Sequence, residues 1–288
     1  MSKYCVFIIS HGRPDNIKTI STLRSREYSG KIFIVIDDLD KTRDRYIEEF
    51  GEEMIIVFDK QEMADKTDQG DNFNNLRTTT HARNACFDIA ERLNYKYFIV
   101  LDDDYINFRF RFDDKLNYKP KPKDLKSVDK LFSYMMEFYI NNKQISSICL
   151  SQGGDFIGGK NSWFAEKIRA KRKVMNSFFC STERPFNFIS RLNEDVNTYL
   201  YLNNKGKIFL TLNQVCLEQT QTQSSSGGMT EAYRDYGTYV KSLYSVMYHP
   251  SAVTVREIGG SSSRRLHHNI TWKKTAPKIL RESLRKES

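Results

Sequence analysis

Four short apolar runs, rich in β-branched and aromatic residues, punctuate the N-terminal part of the chain. They are Tyr4–Ser10, Lys31–Ile36, Met54–Phe58 and Tyr97–Leu101. Each is too short for a buried helix and too continuously apolar for a surface strand, so each reads as a strand covered on both faces. Helical patterns separate them. One runs from Pro14, a residue suited to the first turn of a helix, to about Arg26. Another spans Lys41 to Phe50. A third, Thr80 to Asn94, gathers Ala82, Cys86, Ile89, Ala90 and Leu93 on one face. Asp59 to Leu76 is polar with little periodicity and reads as a surface loop. Strands alternating with helices at this spacing predict βαβ units. The expected fold is α/β, with a Rossmann-type, mostly parallel sheet flanked by helices.

In such sheets ligands collect at the carboxyl ends of the strands. Three of the four expected strand ends carry polar clusters: Ser10-His11-Gly12-Arg13-Pro14, Asp37-Asp38 and Asp102-Asp103-Asp104. That coincidence locates a site. Closely spaced carboxylates at an open strand end suit a hard divalent cation, Mn²⁺ or Mg²⁺, that keeps waters and takes diphosphate oxygens. Taken alone, an acidic triplet is equally consistent with a solvated turn. The combination of Ala82-Arg83-Asn84, a helix, an apolar strand and then the aspartate run is much rarer than any of its parts.

The second half is less regular. Val128–Asn142, Glu194–Asn203 and Tyr239–Tyr248 read as helices. Ile145–Ser151, Val174–Cys180, Ile208–Leu212 and Ala252–Ile258 read as strands. Gly153 to Gly159 is a glycine-rich loop, and Gln221 to Gly228 is low in complexity. There is no internal repeat and no Pro/Gly/Ser linker, so a single domain is expected.

Charge and cysteine usage narrow the setting. The chain has a formal net charge of +9, which favours polyanionic partners without choosing among nucleic acid, anionic membrane and nucleotide phosphate. Its five cysteines, Cys5, Cys86, Cys149, Cys180 and Cys216, form no C-x-x-C pair, and most have apolar neighbours. They read as small buried hydrophobes in a reducing compartment rather than as a disulfide framework or a zinc ribbon. No run of 18 or more apolar residues and no signal-peptide core is present, so a cytoplasmic enzyme with no membrane association is expected.

Ser10-His11-Gly12-Arg13-Pro14, the Asp37-Asp38 strand end, Thr80-His-Ala-Arg-Asn84 and Asp102-Asp-Asp104 together resemble a GT-A-type glycosyltransferase over about residues 4–108. The resemblance implies that the first two strand ends hold the nucleoside of a UDP-sugar, with Ser10, Arg13, Asp37 and Asp38 as contacts. Arg83 and Asn84 would face the diphosphate or the sugar. Asp102 and Asp103 would lie by the donor, and Asp104, helped by Asp102, would bind the metal. A C-terminal histidine often completes that metal shell, and His267 or His268 is the candidate here. Adjacent strand residues face opposite sides, so both are not expected on one ion. Asn193-Glu194-Asp195 opens a helix where the resemblance places an acceptor-side base. Asp195 is then the favoured base, with Glu194 beside it, though helix capping explains the pair equally well from local sequence.

Gln223–Tyr233, Gly237–Met247, His267-His-Asn-Ile-Thr-Trp272 and Pro277-Lys-Ile-Leu280 extend the likeness. They resemble the TET-associated glycosyltransferases, phage and related enzymes that attach sugars to hydroxymethylated pyrimidines in DNA. This implies a nucleotide-sugar half (1–108), an acceptor-side half (109–262) and a basic tail (263–288). It also implies a duplex DNA acceptor with its base flipped out of the stack. The glycine-rich loop, through Gly153, Gly154 and Asp155, and the nearby Trp163 are the acceptor-side candidates. Basic clusters at Lys167–Lys173, Arg264-Arg265, Lys273-Lys274 and Arg281–Lys286 agree with such an acceptor. So does Arg109, Arg111, Lys119, Lys121 and Lys123 interleaved with Phe108, Phe110, Phe112 and Tyr118. For any one cluster taken alone, an ordinary solvated surface is the safer reading. Two alternatives stay open: a glycan, protein or lipid acceptor, and a nucleotidyltransferase-like or nucleic-acid-binding protein.

Overall fold

The apolar runs form one side of a large sheet. In the computed structural model, which describes residues 4–168, 170–171, 176–220, 237, 239–258 and 264–275, they become four strands. These are β1 (Tyr4–Ile9), β2 (Ile32–Asp37), β3 (Ile55–Phe58) and β4 (Tyr97–Asp102), parallel in the order β3-β2-β1-β4. Every residue of β2 is buried. Continuous apolar sequence is what a parallel strand covered on both faces requires. Ile9 lies opposite Asp102, and Asp37 opposite Phe58, so the polar clusters emerge along one edge.

Helices α1 (Lys18–Ser25), α2 (Arg43–Phe50) and α4 (Thr80–Arg92) connect these strands. The expected helix from Pro14 is divided. A 3-10 turn at Pro14–Asn16 is separated from α1 by Ile17, whose ψ of 77° leaves the helical region. The stretch expected as an unbroken loop contains a short helix, α3 (Lys60–Asp65). The Asp59 carboxylate caps it by accepting from the Glu62 amide, and Met63 and Ala64 are buried. Six residues are too few to display a helical period, which is why the pattern was silent there.

The remaining elements are β5 (Tyr105–Phe112), β6 (Tyr118–Asp124), α5 (Val128–Asn141), β7 (Ile145–Gln152), β8 (Ala170–Lys171), β9 (Phe178–Ser181), α6 (Glu194–Asn204), β10 (Ile208–Gln219), α7 (Val240–Tyr248), β11 (Val253–Ile258) and β12 (Arg265–Ile270). The sheet continues β4-β9-β7-β10-β5-β6, with β8 beside β10. Among the described residues β6, β7 and β10 run with β1 to β4, and β5, β8 and β9 run against them. The sheet is therefore mostly parallel in strand direction and flanked by helices, as expected. Helices α4 and α6 pack on one face, and α1, α2 and α5 on the other.

Three second-half expectations change. β10 continues past Leu212 to Gln219 across a register shift, with the buried Asn213 amide turned to the Phe164 and Lys167 carbonyls. The basic–aromatic stretch at 108–123 is chiefly sheet. Phe108 and Phe112 are core residues. Arg109 pairs with Asp124 and Glu218, Arg111 with Glu218, and Lys119 with Asp113. Only Lys121 and Lys123 of that group are exposed on the edge strand β6 without an ion pair among the described residues. Finally, residues 265–270 of the expected tail pair with β11 as an antiparallel hairpin. The expectations at 221–236, 277–280 and 281–286 lie outside the described residues, as do residues 169 and 172–175.

The five cysteines are buried and free, as anticipated. Phe132 is fully buried on α5, with edge contacts to Tyr28, Phe108 and Phe179. Phe132→Ala is expected to cost about 3–5 kcal/mol of folding stability by urea denaturation. A loss below about 1 kcal/mol would show that this face is not a packed core.

Candidate active site

Strands β1, β2, β4, β7 and β10 are among those that point their carboxyl ends at one edge. Asn176, just before the opposed strand β9, reaches the same edge. The Asp102–Asp104 run sits there, with its backbone fixed from both sides. Thr19 donates its hydroxyl to the Asp102 carbonyl at 2.6 Å and its amide to the Asp103 carbonyl at 3.1 Å. The Thr220 amide donates to the Asp104 carbonyl at 3.1 Å.

The three carboxylates are used differently. Asp102 accepts from Arg83 Nη2 at 2.9 Å and from Asn176 Nδ2 at 2.6 Å. Burial pushes its pKa up to about 6 despite the pull of Arg83, and Asp104 adds to the rise. Asp103 is 1% exposed and turned inward, accepting from Ser10 Oγ at 2.6 Å and pairing with Arg13 Nε at 2.9 Å. Burial lifts it to about 6 as well. Asp104 Oδ2 accepts from the Thr220 hydroxyl at 3.2 Å. Its Oδ1 is buried and has no hydrogen-bond partner among the described residues. Burial and the neighbouring Asp103 raise its pKa.

Several residues expected at the nucleoside have partners within the protein. Ser10 is buried between Asp103 and the Tyr46 hydroxyl. Asp37 is 4% exposed and contacts His11 Nδ1 at 2.7 Å and Lys60 Nζ at 3.1 Å. Burial alone would raise its pKa, but these two partners bring it below its usual value. Asp38 is exposed, and one of its oxygens accepts from the Lys60 amide. Arg13 is partly exposed beside Asp103. Asn84 clamps the backbone of one residue, donating to the Phe188 carbonyl and accepting from the Phe188 amide.

Arg83 holds the centre. Its guanidinium is buried and bridges Asp102 and Glu194, with Nε 3.2 Å from Glu194 Oε1. It lies over the Phe178 and Phe188 rings at 5.0 and 5.8 Å. Its acceptors are these two carboxylates and the Asn176 carbonyl. Glu194 also accepts from the Thr79 hydroxyl at 2.6 Å. Asp195, next on α6, accepts only from its neighbouring Val196 amide among its described hydrogen bonds. Burial, then the adjacent Glu194, pushes its pKa up to about 6. Burial lowers the pKa of Lys241 on α7, while the Asp195 charge opposes that shift.

His267 and His268 are stacked 4.1 Å apart on β12, and His268 Nδ1 lies 3.3 Å from Asn193 Nδ2. Among the described residues no three His, Cys, Asp or Glu side chains converge as a ready metal cluster. Through Asn193 the β11–β12 hairpin meets the start of α6. In the turn expected to meet the acceptor, Gly153 and Gly154 are exposed, and nothing crowds the Cα of Gly154. Asp155 accepts from the Gln152 amide and caps that turn, and Trp163 is 41% exposed.

The sequence reading missed Gln152, Asn176, Gln219 and Thr220. Gln219 Oε1 accepts from both Gln152 Nε2 and Asn176 Nδ2 at 3.0 Å, forming an amide cluster behind Asp102. The strand-end rule would have marked Gln152 and Gln219 had β7 and β10 been known to run with β1.

Residues 4–228 match the family described as TET-Associated Glycosyltransferase. The chain belongs to that family. It is therefore a glycosyltransferase by sequence, and its aspartate run, Arg83 and Glu194 all lie within the matched span. No protein of curated function matches it. Among solved structures it is similar to glucosyl-3-phosphoglycerate synthase of Mycobacterium tuberculosis bound to Mg²⁺ and UDP. The TM-score there is 0.46 at 10% identity, covering 93% of this chain and 87% of the other. It is also similar to S. aureus TarS, with a TM-score of 0.42, 10% identity and 84% and 64% coverage. A third is GalNAc-T7 with UDP, GalNAc and Mn²⁺, with a TM-score of 0.41, 10% identity and 75% and 43% coverage. Among the described residues no helix of this glycosyltransferase is long and apolar enough to cross a membrane.

Removing a buried ion-pair partner costs more than the pair contributes, because the remaining charge is left without compensation. Arg83→Met is therefore expected to lose about 3–5 kcal/mol in urea denaturation. Arg83→Met with Asp102→Asn and Glu194→Gln should recover part of that loss. A single variant as stable as the wild type would remove Arg83 from its central place.

Proposed function

We propose that this glycosyltransferase moves a sugar from a UDP-sugar to the hydroxymethyl group of a modified cytosine, or less favourably uracil, in DNA. The observation that carries the proposal is the family match, within which an unpartnered Asp104 oxygen stands at the strand-end edge. The net charge of +9 supports a polyanionic acceptor. The UDP and the Mg²⁺ or Mn²⁺ bound by the similar structures support the donor and the metal.

The residues present fit such a metal. Asp104 Oδ1 is a buried, orphaned hard-oxygen donor, and Asp102 adds a second carboxylate nearby. Mg²⁺ and Mn²⁺ commonly take one or two protein carboxylates and fill the remaining positions with phosphate oxygens and water. When bound, the ion would neutralise charge on the departing diphosphate. Arg83 and Asn176 hold Asp102 in orientation, and Thr220 does the same for Asp104. In the inverting form of the reaction, the bond from the sugar's anomeric carbon to the diphosphate oxygen breaks. A bond from that carbon to the hydroxymethyl oxygen forms, and the hydroxyl proton passes to Asp195. A retaining reaction needs no such base, and Asp195 then positions the acceptor.

The decisive experiment is mass spectrometry of nucleosides from hydroxymethylcytosine duplex DNA, after incubation with Mn²⁺ and a panel of UDP-sugars. A hexose or pentose adduct is expected with at least one donor. Absence of any adduct, or thermal stabilisation by nucleoside triphosphates and not by UDP, overturns the proposal. Asp104→Ala is expected to lower kcat by about 100-fold or more.

The raised Asp195 pKa also has a sign. Its charged form is disfavoured in the fold, so Asp195 favours folding below about pH 4 and loses that contribution as pH rises through about 6. As a base it must be ionised, so kcat/KM should fall about tenfold per unit below pH 6. A pH–rate profile flat down to pH 4.5 would assign the proton elsewhere.

A further inference from the structure

Tyr199 follows Asp195 by one helical turn on α6, so the two share a helix face. The Tyr199 ring lies parallel to that of Trp272, 8° between planes and 5.9 Å between centroids. Trp272 in turn meets Trp163, with centroids 5.9 Å apart and planes at 35°. Trp163 is anchored edge-on to Phe164, which is buried in a small aromatic cluster with Phe156 and Phe112. The ladder therefore runs outward, from a fully buried tyrosine through a half-buried indole to one that is 41% exposed.

Two features set this apart from ordinary core packing. Trp163 and Trp272 come from distant parts of the chain, the turn after β7 and the turn after β12, yet meet with substantial aromatic surface toward solvent. The Tyr199 hydroxyl is buried without a hydrogen-bond partner among the described residues. Burial raises its pKa well above the usual tyrosine value, and the carboxylates of Asp195 and Asp155 lie close enough to raise it further. The inner end of the ladder thus lies beside the expected base and the glycine-rich turn. Exposed cations flank its outer end. Lys273 and Lys274 follow Trp272 directly, and Lys160 lies in the turn that packs against β6. Aromatic faces for bases with cations for phosphates are the two elements of nucleic-acid strand binding.

We propose that Trp163 and Trp272 form the stacking face for the acceptor nucleobase, placing its hydroxymethyl group toward Asp195. This inference rests on DNA being the acceptor. The chain contains only two tryptophans, so its indole fluorescence reports on this pair alone.

Titrating the full-length protein, with Mn²⁺ and UDP present, with a hydroxymethylcytosine duplex should quench that fluorescence. The quench should saturate at the Kd read from anisotropy of the labelled duplex. Trp272→Ala and Trp163→Ala should each raise KM for DNA about 5- to 100-fold while the Kd for UDP is retained. Trp272→Phe should recover part of the loss. Trp163, being more exposed, keeps the test valid if Trp272→Ala misfolds. If the duplex binds and is glycosylated but neither fluorescence nor KM responds, the stacking face is refuted and the DNA acceptor stands. If fluorescence responds to UDP-sugar and not to DNA, the pair belongs to the donor and the inference is overturned. If the duplex is neither bound nor glycosylated, both ideas fall together.

Discussion

A guanidinium buried away from water must be surrounded by acceptors, and for Arg83 these are Asp102, Glu194 and the Asn176 carbonyl. The arrangement is strongly directional. One side of the cation faces the aspartate run at the end of β4, and the other faces the first turn of α6. Phe178 and Phe188 cover its flat faces, and Asn84, the next residue on α4, holds the Phe188 backbone. A single turn of one helix thereby sets the spacing between the Asp102 and Glu194 carboxylates. Such a pair contributes little net energy, but losing one member leaves an uncompensated charge, so the geometry is enforced.

The same edge collects charge in excess of its cations. Asp102, Asp103 and Asp195 are each lifted to about 6, principally by burial. Asp37, by contrast, is held below its usual value by His11 and Lys60. The edge is thus divided. Toward β2 the carboxylates are neutralised internally, and toward α6 they retain unsatisfied negative charge. One side of the edge is thus a rigid, internally paired frame, and the other carries carboxylates whose ionisation burial disfavours. The indole pair beyond Asp195 continues this polarity outward, from carboxylates to aromatic faces to lysines.

Much of the frame was readable because its signals are local. A continuous β-branched run such as Ile32–Asp37 has few alternatives to a doubly covered strand, and the Ala82–Leu93 spacing suits an amphipathic helix. The aspartate run followed directly from its place after β4. Other parts carried no local signal. Helix α3 is too short to show a period. The extension of β10 depends on Asn213 finding the Phe164 and Lys167 carbonyls. The cations at Arg109, Arg111 and Lys119 looked like a nucleic-acid surface until their acidic partners, brought from Asp113, Asp124 and Glu218, were seen beside them.

Sequence by itself determined the α/β class, the parallel half of the sheet, the strand-end position of Asp102–Asp104 and membership of a glycosyltransferase family. These follow from periodicity and motif, both properties of neighbouring residues. Only the tertiary structure decided which side chains face one another. It turned Ser10 and Asp103 inward, gave Arg83 two carboxylates, left an Asp104 oxygen without a hydrogen-bond partner among the described residues and brought Trp163 against Trp272. The reason is physical. Burial and charge pairing join residues far apart in the chain, and the free energy of a buried carboxylate depends on the partner the fold brings to it.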